Sequence, residues 1–203
     1  GRKQEIQKAL EELAKEYSEN RNKIPKDLAY LEGQYREDYL HDMKICQEFA
    51  SLNRETIARE IIARMGLMSC VENHFHTTHN YISFEDNIVR KGAISAKKDE
   101  IVLIPINMRD GCIIAKGKGN DDWNQSAPHG AGRIMSRMEA KKKLNLKDFE
   151  ETMKGIYTTS VSEDTLDEAP FVYKPMQEII NNIGDTVEII KIIKPIYNFK
   201  AKE

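Results

Sequence analysis

The sequence reads as an α+β protein on three observations. Helical periodicity fills the first third, short β-prone runs follow, and helices and strands interleave toward the end. Over residues 2–21, Ile6, Leu10, Leu13, Ala14 and Tyr17 share one face of an amphipathic helix rich in Glu and Lys. Ile24-Pro25-Lys26-Asp27 breaks that pattern. A longer helical pattern runs from Gln34 to Arg64 through Tyr39, Met43, Cys46, Phe49, Ala50, Ile57, Ile61 and Ile62, and Gly66 stands where it would stop.

The character then changes. Met68–Val71, Asn80–Phe84, Ile101–Ile106 and Cys112–Lys116 read as strands separated by Gly, Asn and Asp, and Gly117–Asp122 reads as a loop. A helix is expected over Arg133–Lys143 and a short one over Leu146–Met153. Ile156–Ser160 reads as a strand, Pro175–Asn182 as a helix, and Val187–Phe199 as one or two terminal strands. Residues 1–66 thus form a helical segment and residues 67–203 a β-rich one.

Composition narrows the functional classes. With 31 Lys and Arg against 33 Asp and Glu, no bulk field marks a nucleic-acid binder, so any RNA contact needs a local basic patch. Cys46, Cys70 and Cys112 are far apart, an odd set without CxxC spacing that fits a reducing compartment. No apolar run is long enough to span a bilayer and no signal-peptide pattern opens the chain, so the expectation is a cytoplasmic protein without membrane contact.

The chemistry concentrates in Ser126-Ala127-Pro128-His129-Gly130-Ala131-Gly132-Arg133-Ile134-Met135-Ser136-Arg137. Pro128 restricts the chain before His129, and the small residues after it let a ligand approach the backbone. Arg133 and Arg137, spaced i, i+4, would project from one face of a helix. An imidazole, exposed N–H groups and two guanidiniums describe a place to put a phosphate, and to attack one. A solvated loop is the plainer alternative for this segment.

Other clusters carry less. Gly117-Lys118-Gly119 lacks the GxxxxGK[ST] spacing and reads as a tight turn. His74 and His76 would share a strand face as two metal ligands might, with His79 in the opposite phase, but no HExxH or cysteine pair completes a zinc site. Asp121-Asp122 reads as a solvated loop tip, and Glu163, Asp164, Asp167 and Glu168 as a charged surface loop.

Ile24–Leu31, Asn53-Arg54, His79-Asn80-Tyr81, Val89-Arg90-Lys91-Gly92-Ala93, Ile104-Pro105 with Met108, Gly117–Asn120, Ser126–Arg137, Ala169-Pro170 and Tyr173-Lys174 occur in an order that resembles the RtcB-type RNA ligases across nearly the whole chain. Those enzymes join RNA 2′,3′-cyclic phosphate or 3′-phosphate ends to 5′-hydroxyl ends. The resemblance implies an RtcB-like mixed lobe, with N-terminal helices before a largely antiparallel sheet region. It implies GTP and Mn²⁺ as cofactors and broken RNA, tRNA halves among it, as the partner. His129 matches the nucleophile that takes GMP covalently, and His79 a manganese ligand. Asn80, Pro105, Ile106, Asn107, Met108, Cys112, Gly130, Ala131, Gly132 and Lys200 match nucleotide contacts, Lys200 reading the guanine. Arg54 and Arg133 are placed as contacts to RNA phosphate.

Two departures stand beside the resemblance. Ile106-Asn107-Met108-Arg109 replaces the family's Gly-Ser-Met-Gly, and Cys112 replaces a serine. These side chains could weaken nucleotide binding, or Arg109 could add a phosphate contact. The family's amino-terminal half, with an Asp/Cys metal pair and a further histidine ligand, has no match. The chain is therefore expected to be an incomplete part of the ligase, inactive in isolation, with the missing half in a longer polypeptide or a complementary chain. The alternative is a non-catalytic nucleotide- or RNA-binding lobe.

Overall fold

The structure, a computed structural model, describes residues 5, 8, 11, 12, 29–71 and 74–200. The helix expected over 2–21 falls largely outside these residues; Glu5, Lys8, Glu11 and Glu12 are helical. The Ile24–Asp27 break lies outside them altogether. The chain divides into two units, Gly1–Glu72 and Asn73–Glu203.

In the first unit, α1 spans Gly33–Arg64. It holds no Pro, and Glu55–Arg59 and Glu60–Arg64 pair at i, i+4, each worth about 0.3–0.5 kcal/mol. None of its residues is buried, and Phe49, Leu52, Ile57 and Ile61 are exposed. Gly66 follows at φ 71°, the left-handed conformation that ends helices. Met68–Cys70, expected as a strand, is a single 3₁₀ turn.

The second unit is built on a three-stranded antiparallel sheet of β4 (Ile101–Asn107), β5 (Gly111–Gly117) and β8 (Val187–Ile193), with β5 central. Alternation drives it. Val102, Ile104 and Ile106 of β4 and Ile113 and Ala115 of β5 turn inward against Ile179 of α4 (Met176–Asn182) and Ile183, which caps it. Leu103, Pro105 and Cys112 face the other way. Gly111 at φ 89° makes the β4–β5 turn possible, because a Cβ there would lie 2.0 Å from the Ile193 carbonyl oxygen.

Short pairs flank this sheet: β1 (Tyr81–Ile82) with β2 (Val89–Arg90), β3 (Ala93–Ser95) with β6 (Ser126–Pro128), and the parallel β7 (Tyr157–Thr158) with β9 (Tyr197–Asn198). A second core gathers Phe149, Met153, Leu166 and Val172 around α2 (Arg137–Lys143) and α3 (Leu146–Thr152). Helix α2 begins four residues later than the spacing suggested. Ser136 caps it by accepting the Glu139 amide at 3.2 Å, a contact worth about 1 kcal/mol. Gly132 at φ 71° and the Arg133–Tyr173 bridge keep residues 133–136 out of the helix. The architecture is α+β.

Candidate active site

Strand β4 has β5 on one side only, so its other edge offers free backbone groups. Pro105 suits such an edge, having no N–H to lose. The Thr77 hydroxyl accepts the Leu103 amide at 3.0 Å, and the Pro105 carbonyl accepts the Ala131 amide at 3.1 Å. The second of these bonds pins the His129–Gly132 turn to the sheet. Gly130 is needed there, because a Cβ would approach the Pro105 carbonyl to 3.0 Å.

His129 follows directly on β6, whose partner strand β3 begins just after Gly92. Its Nδ1 lies 2.6 Å from the Gly92 carbonyl oxygen. A carbonyl only accepts, so this contact puts a proton on Nδ1, the tautomer whose lone pair is on Nε2. Gly92 is set at φ 69°, and its amide donates to the Asn80 side-chain oxygen at 2.8 Å. The His79 ring stacks on His129 with centroids 5.1 Å apart and planes at 19°. One ring nitrogen is thereby fixed by backbone and one face by a second imidazole.

The cavity these residues border is about 950 Å³ and opens between the two cores, with Ile106 from one and Met108 from the other in its wall. Its polar side is cationic. Arg133, Arg137 and Lys200 converge on Glu168, whose carboxylate lies 3.6 Å, 3.7 Å and 3.0 Å from their nitrogens. Arg137 also pairs with the buried Asp167 at 2.8 Å. Arg133 reaches the Asp167 carbonyl at 2.6 Å and lies over the Tyr173 ring. Tyr173 donates to Glu168 at 2.9 Å, and burial, reinforced by that carboxylate, pushes its pKa up to about 12. Three cations set against the Glu168 and Asp167 carboxylates leave a positive excess suited to an anion.

His79, Pro105, Ile106, Asn107, Met108, Cys112, His129, Gly130, Ala131, Gly132, Arg133 and Lys200, all singled out in the sequence, line this one cavity. Asn80 does not; its oxygen is committed to the Gly92 turn. Arg54 lies on α1 in the helical unit. Arg109 is also outside the wall, held by Asp110 at 2.8 Å and by the Thr152 hydroxyl at 2.7 Å. Burial raises the Cys112 thiol pKa above its ordinary value. Residues 74–79 form no strand, so the shared face expected for His74 and His76 is lost, and of the three only His79 reaches the cavity. Among the described residues no three His, Cys, Asp or Glu gather as a metal site.

Sequence reasoning missed Glu168, and the reason is visible. Glu163–Glu168 is a 3₁₀ segment with Thr165, Leu166 and Asp167 buried, where a charged surface loop was expected. Its signal was Ser162 with Thr165 three residues on, which cap each other, and an apolar Leu166 among the acids.

A family model described as tRNA-splicing ligase RtcB matches residues 3–201. The "RNA-splicing ligase RtcB" of Escherichia coli K12 is 30% identical over 205 residues, covering 92% of this chain and 50% of that protein. The "tRNA-splicing ligase RtcB" of Archaeoglobus fulgidus is 30% identical over 185 residues, covering 74% and 38%. That of Pyrobaculum aerophilum is 28% identical over 207 residues, covering 80% and 42%. The chain thus spans about half the length or less of these curated relatives.

Proposed function

The chain belongs to the RtcB family, and on that footing we propose that it carries the nucleophilic part of a GTP-dependent RNA ligase, joining 3′-phosphate or 2′,3′-cyclic phosphate ends to 5′-hydroxyl ends. The observation that carries this reading is the His129 imidazole, anchored by Nδ1 on Gly92 at the wall of a cationic cavity of nucleotide size.

The chemistry follows from that anchorage. Nε2 of His129 attacks the α-phosphorus of GTP; an N–P bond forms and the P–O bond to pyrophosphate breaks. The proton stays on Nδ1, where the Gly92 carbonyl stabilises the positive charge that develops on the ring. Arg133 and Arg137 offset charge on the phosphates, and Lys200 meets the base. The 3′-phosphate of RNA then takes GMP from Nε2, returning the neutral imidazole. Attack by the 5′-hydroxyl on that activated phosphate expels GMP and closes the strand.

Manganese, when bound, would polarise the triphosphate, and His79 is the residue of this chain placed to be one ligand. A single imidazole is too few donors for a stable site. With no cluster of three ligands among the described residues, these residues alone do not hold the ion. The remaining donors must come from elsewhere in a complete enzyme, so the isolated chain is expected not to ligate. The broken RNA it serves includes tRNA halves, in keeping with the relatives' printed names. Among the described residues no helix is long and apolar enough to cross a membrane.

The test is ligation of a 3′-phosphate RNA to a 5′-hydroxyl RNA with GTP and manganese. The protein should be assayed with any segment its gene encodes ahead of Gly1. Product is expected, and His129→Ala should abolish it. GTP or RNA bound without product in that complete form would favour the non-catalytic lobe.

A further inference from the structure

A second cavity, of about 510 Å³, borders the same strand pair that presents His129. Gly92, Ala93, Ala127 and Pro128 belong to its wall, and Trp123 and Lys91 stand at its rim. Trp123 is the sole tryptophan of the sequence, and it is 58% exposed. Lys91 has no carboxylate within ion-pairing distance among the described residues. An exposed indole and an ammonium with no carboxylate partner among the described residues thus line one groove, the two contact types that a single-stranded nucleic acid uses.

The loop that carries Trp123 is costly to build. Asn124 and Gln125, consecutive non-glycine residues, sit at φ 48° and 47°; asparagine tolerates this region, and for Gln125 it costs about 1–2 kcal/mol. A buried cation holds them there: Arg90, 2% exposed, donates to the Asn124 carbonyl at 3.1 Å and to the Ser126 hydroxyl at 3.0 Å. Asn120 caps the Asp121–Trp123 turn, and its side-chain amide donates to the Asp185 carbonyl at 3.0 Å. Trp123 is therefore presented on a rigid mount.

We infer that this cavity is a subsite for a nucleobase of the RNA strand whose end is brought to His129, the base stacking on Trp123 and the adjoining phosphate meeting Lys91. An aromatic face beside a basic side chain is the usual provision for single-stranded RNA, and it accepts any base. Pro128 lines this groove and the next residue, His129, lines the first cavity, so the two cavities adjoin along the chain where the strand end would be held. The inference rests on the ligase reading for the identity of the strand.

The sole tryptophan makes the test direct, since its emission reports this site alone. RNA oligonucleotides ending in a 3′-phosphate or in a 5′-hydroxyl are titrated into the protein while tryptophan emission and fluorescence anisotropy of labelled RNA are followed. One of the two end types is expected to quench emission saturably, and to lose the quench when a nucleotide near that end is abasic. Trp123→Ala should weaken binding about 5- to 100-fold, Trp123→Phe less, and Lys91→Ala should lessen its salt dependence. RNA bound with unchanged emission, and equally well by Trp123→Ala, overturns the subsite. Guanylylation of His129 is read in parallel on the chain together with any segment its gene encodes ahead of Gly1: an adduct without quenching overturns the subsite alone, whereas quenching with no adduct in that complete form keeps the subsite and overturns the ligase chemistry. No RNA binding by either end type overturns the subsite whatever the adduct shows.

Discussion

The Gly92 carbonyl oxygen lies 2.6 Å from Nδ1 of His129, and Gly92 reaches that position only at φ 69°. A Cβ at residue 92 would stand 3.7 Å from the imidazole, an ordinary contact, so the constraint is conformational and not steric crowding. Gly92→Ala is expected to cost about 1–2 kcal/mol of stability while still permitting modification of His129. Thermal unfolding and the rate of GMP attachment measure the two effects separately. Complete loss of attachment in a folded protein would point to contact, not strain.

Arg109 stands where the family carries glycine, yet it is turned onto Asp110 and Thr152 and away from the cavity wall. The hydrogen bond from Arg109, helped by that from Asn107, in turn holds the Asp110 carboxyl below its usual range. Arg109→Ala should lower stability by about 1 kcal/mol and leave nucleotide affinity within about twofold. Calorimetric titration with GTP decides it. A large fall in affinity would restore Arg109 as a phosphate contact.

Lys200 is held 3.0 Å from Glu168 at the cavity wall. If it reads the base, Lys200→Ala should lower the preference for GTP over ATP by about 10- to 100-fold, the worth of a hydrogen bond from a charged donor. Competition between the two labelled nucleotides measures the ratio. An unchanged ratio assigns base recognition to another group.

Tyr173 should titrate late. Its folded pKa of about 12 lies above the ordinary 10.0, so the fold favours the neutral phenol. That contribution is complete below pH 10.0 and is lost as pH rises through about 12. Phenolate absorbance should therefore show one lagging group among the eight tyrosines, absent in Tyr173→Phe. Uniform titration of every phenol would contradict the buried contact with Glu168.

Legibility followed local pattern. Strands β4 and β5 were readable because buried and half-buried residues alternate through Ile101–Asn107 and Gly111–Gly117. Strands β3 and β6 have three residues each and owe their pairing to each other, so no local period announced them. The Arg133–Arg137 spacing suggested a helix face, whereas the two guanidiniums meet instead through Asp167 and Glu168 across the chain. The turn after His129 was legible because Gly130-Ala131-Gly132 is a run of small residues. Glu168 was hidden because exposed and buried carboxylates look alike until the surrounding apolar residues are placed. The anchoring of His129 by a backbone carbonyl involves no side chain of residue 92 and left no mark beyond a glycine.

The central claim is that Nε2 of His129 accepts GMP. Incubation with manganese and GTP labelled at the α-phosphate, followed by intact-protein mass measurement and site mapping, tests it most directly. It applies to the chain together with any segment its gene encodes ahead of Gly1. One GMP per chain, lost in acid, mapped to His129 and absent in His129→Ala, is the result expected. An adduct undiminished in His129→Ala, or GTP bound with no adduct at all, contradicts it.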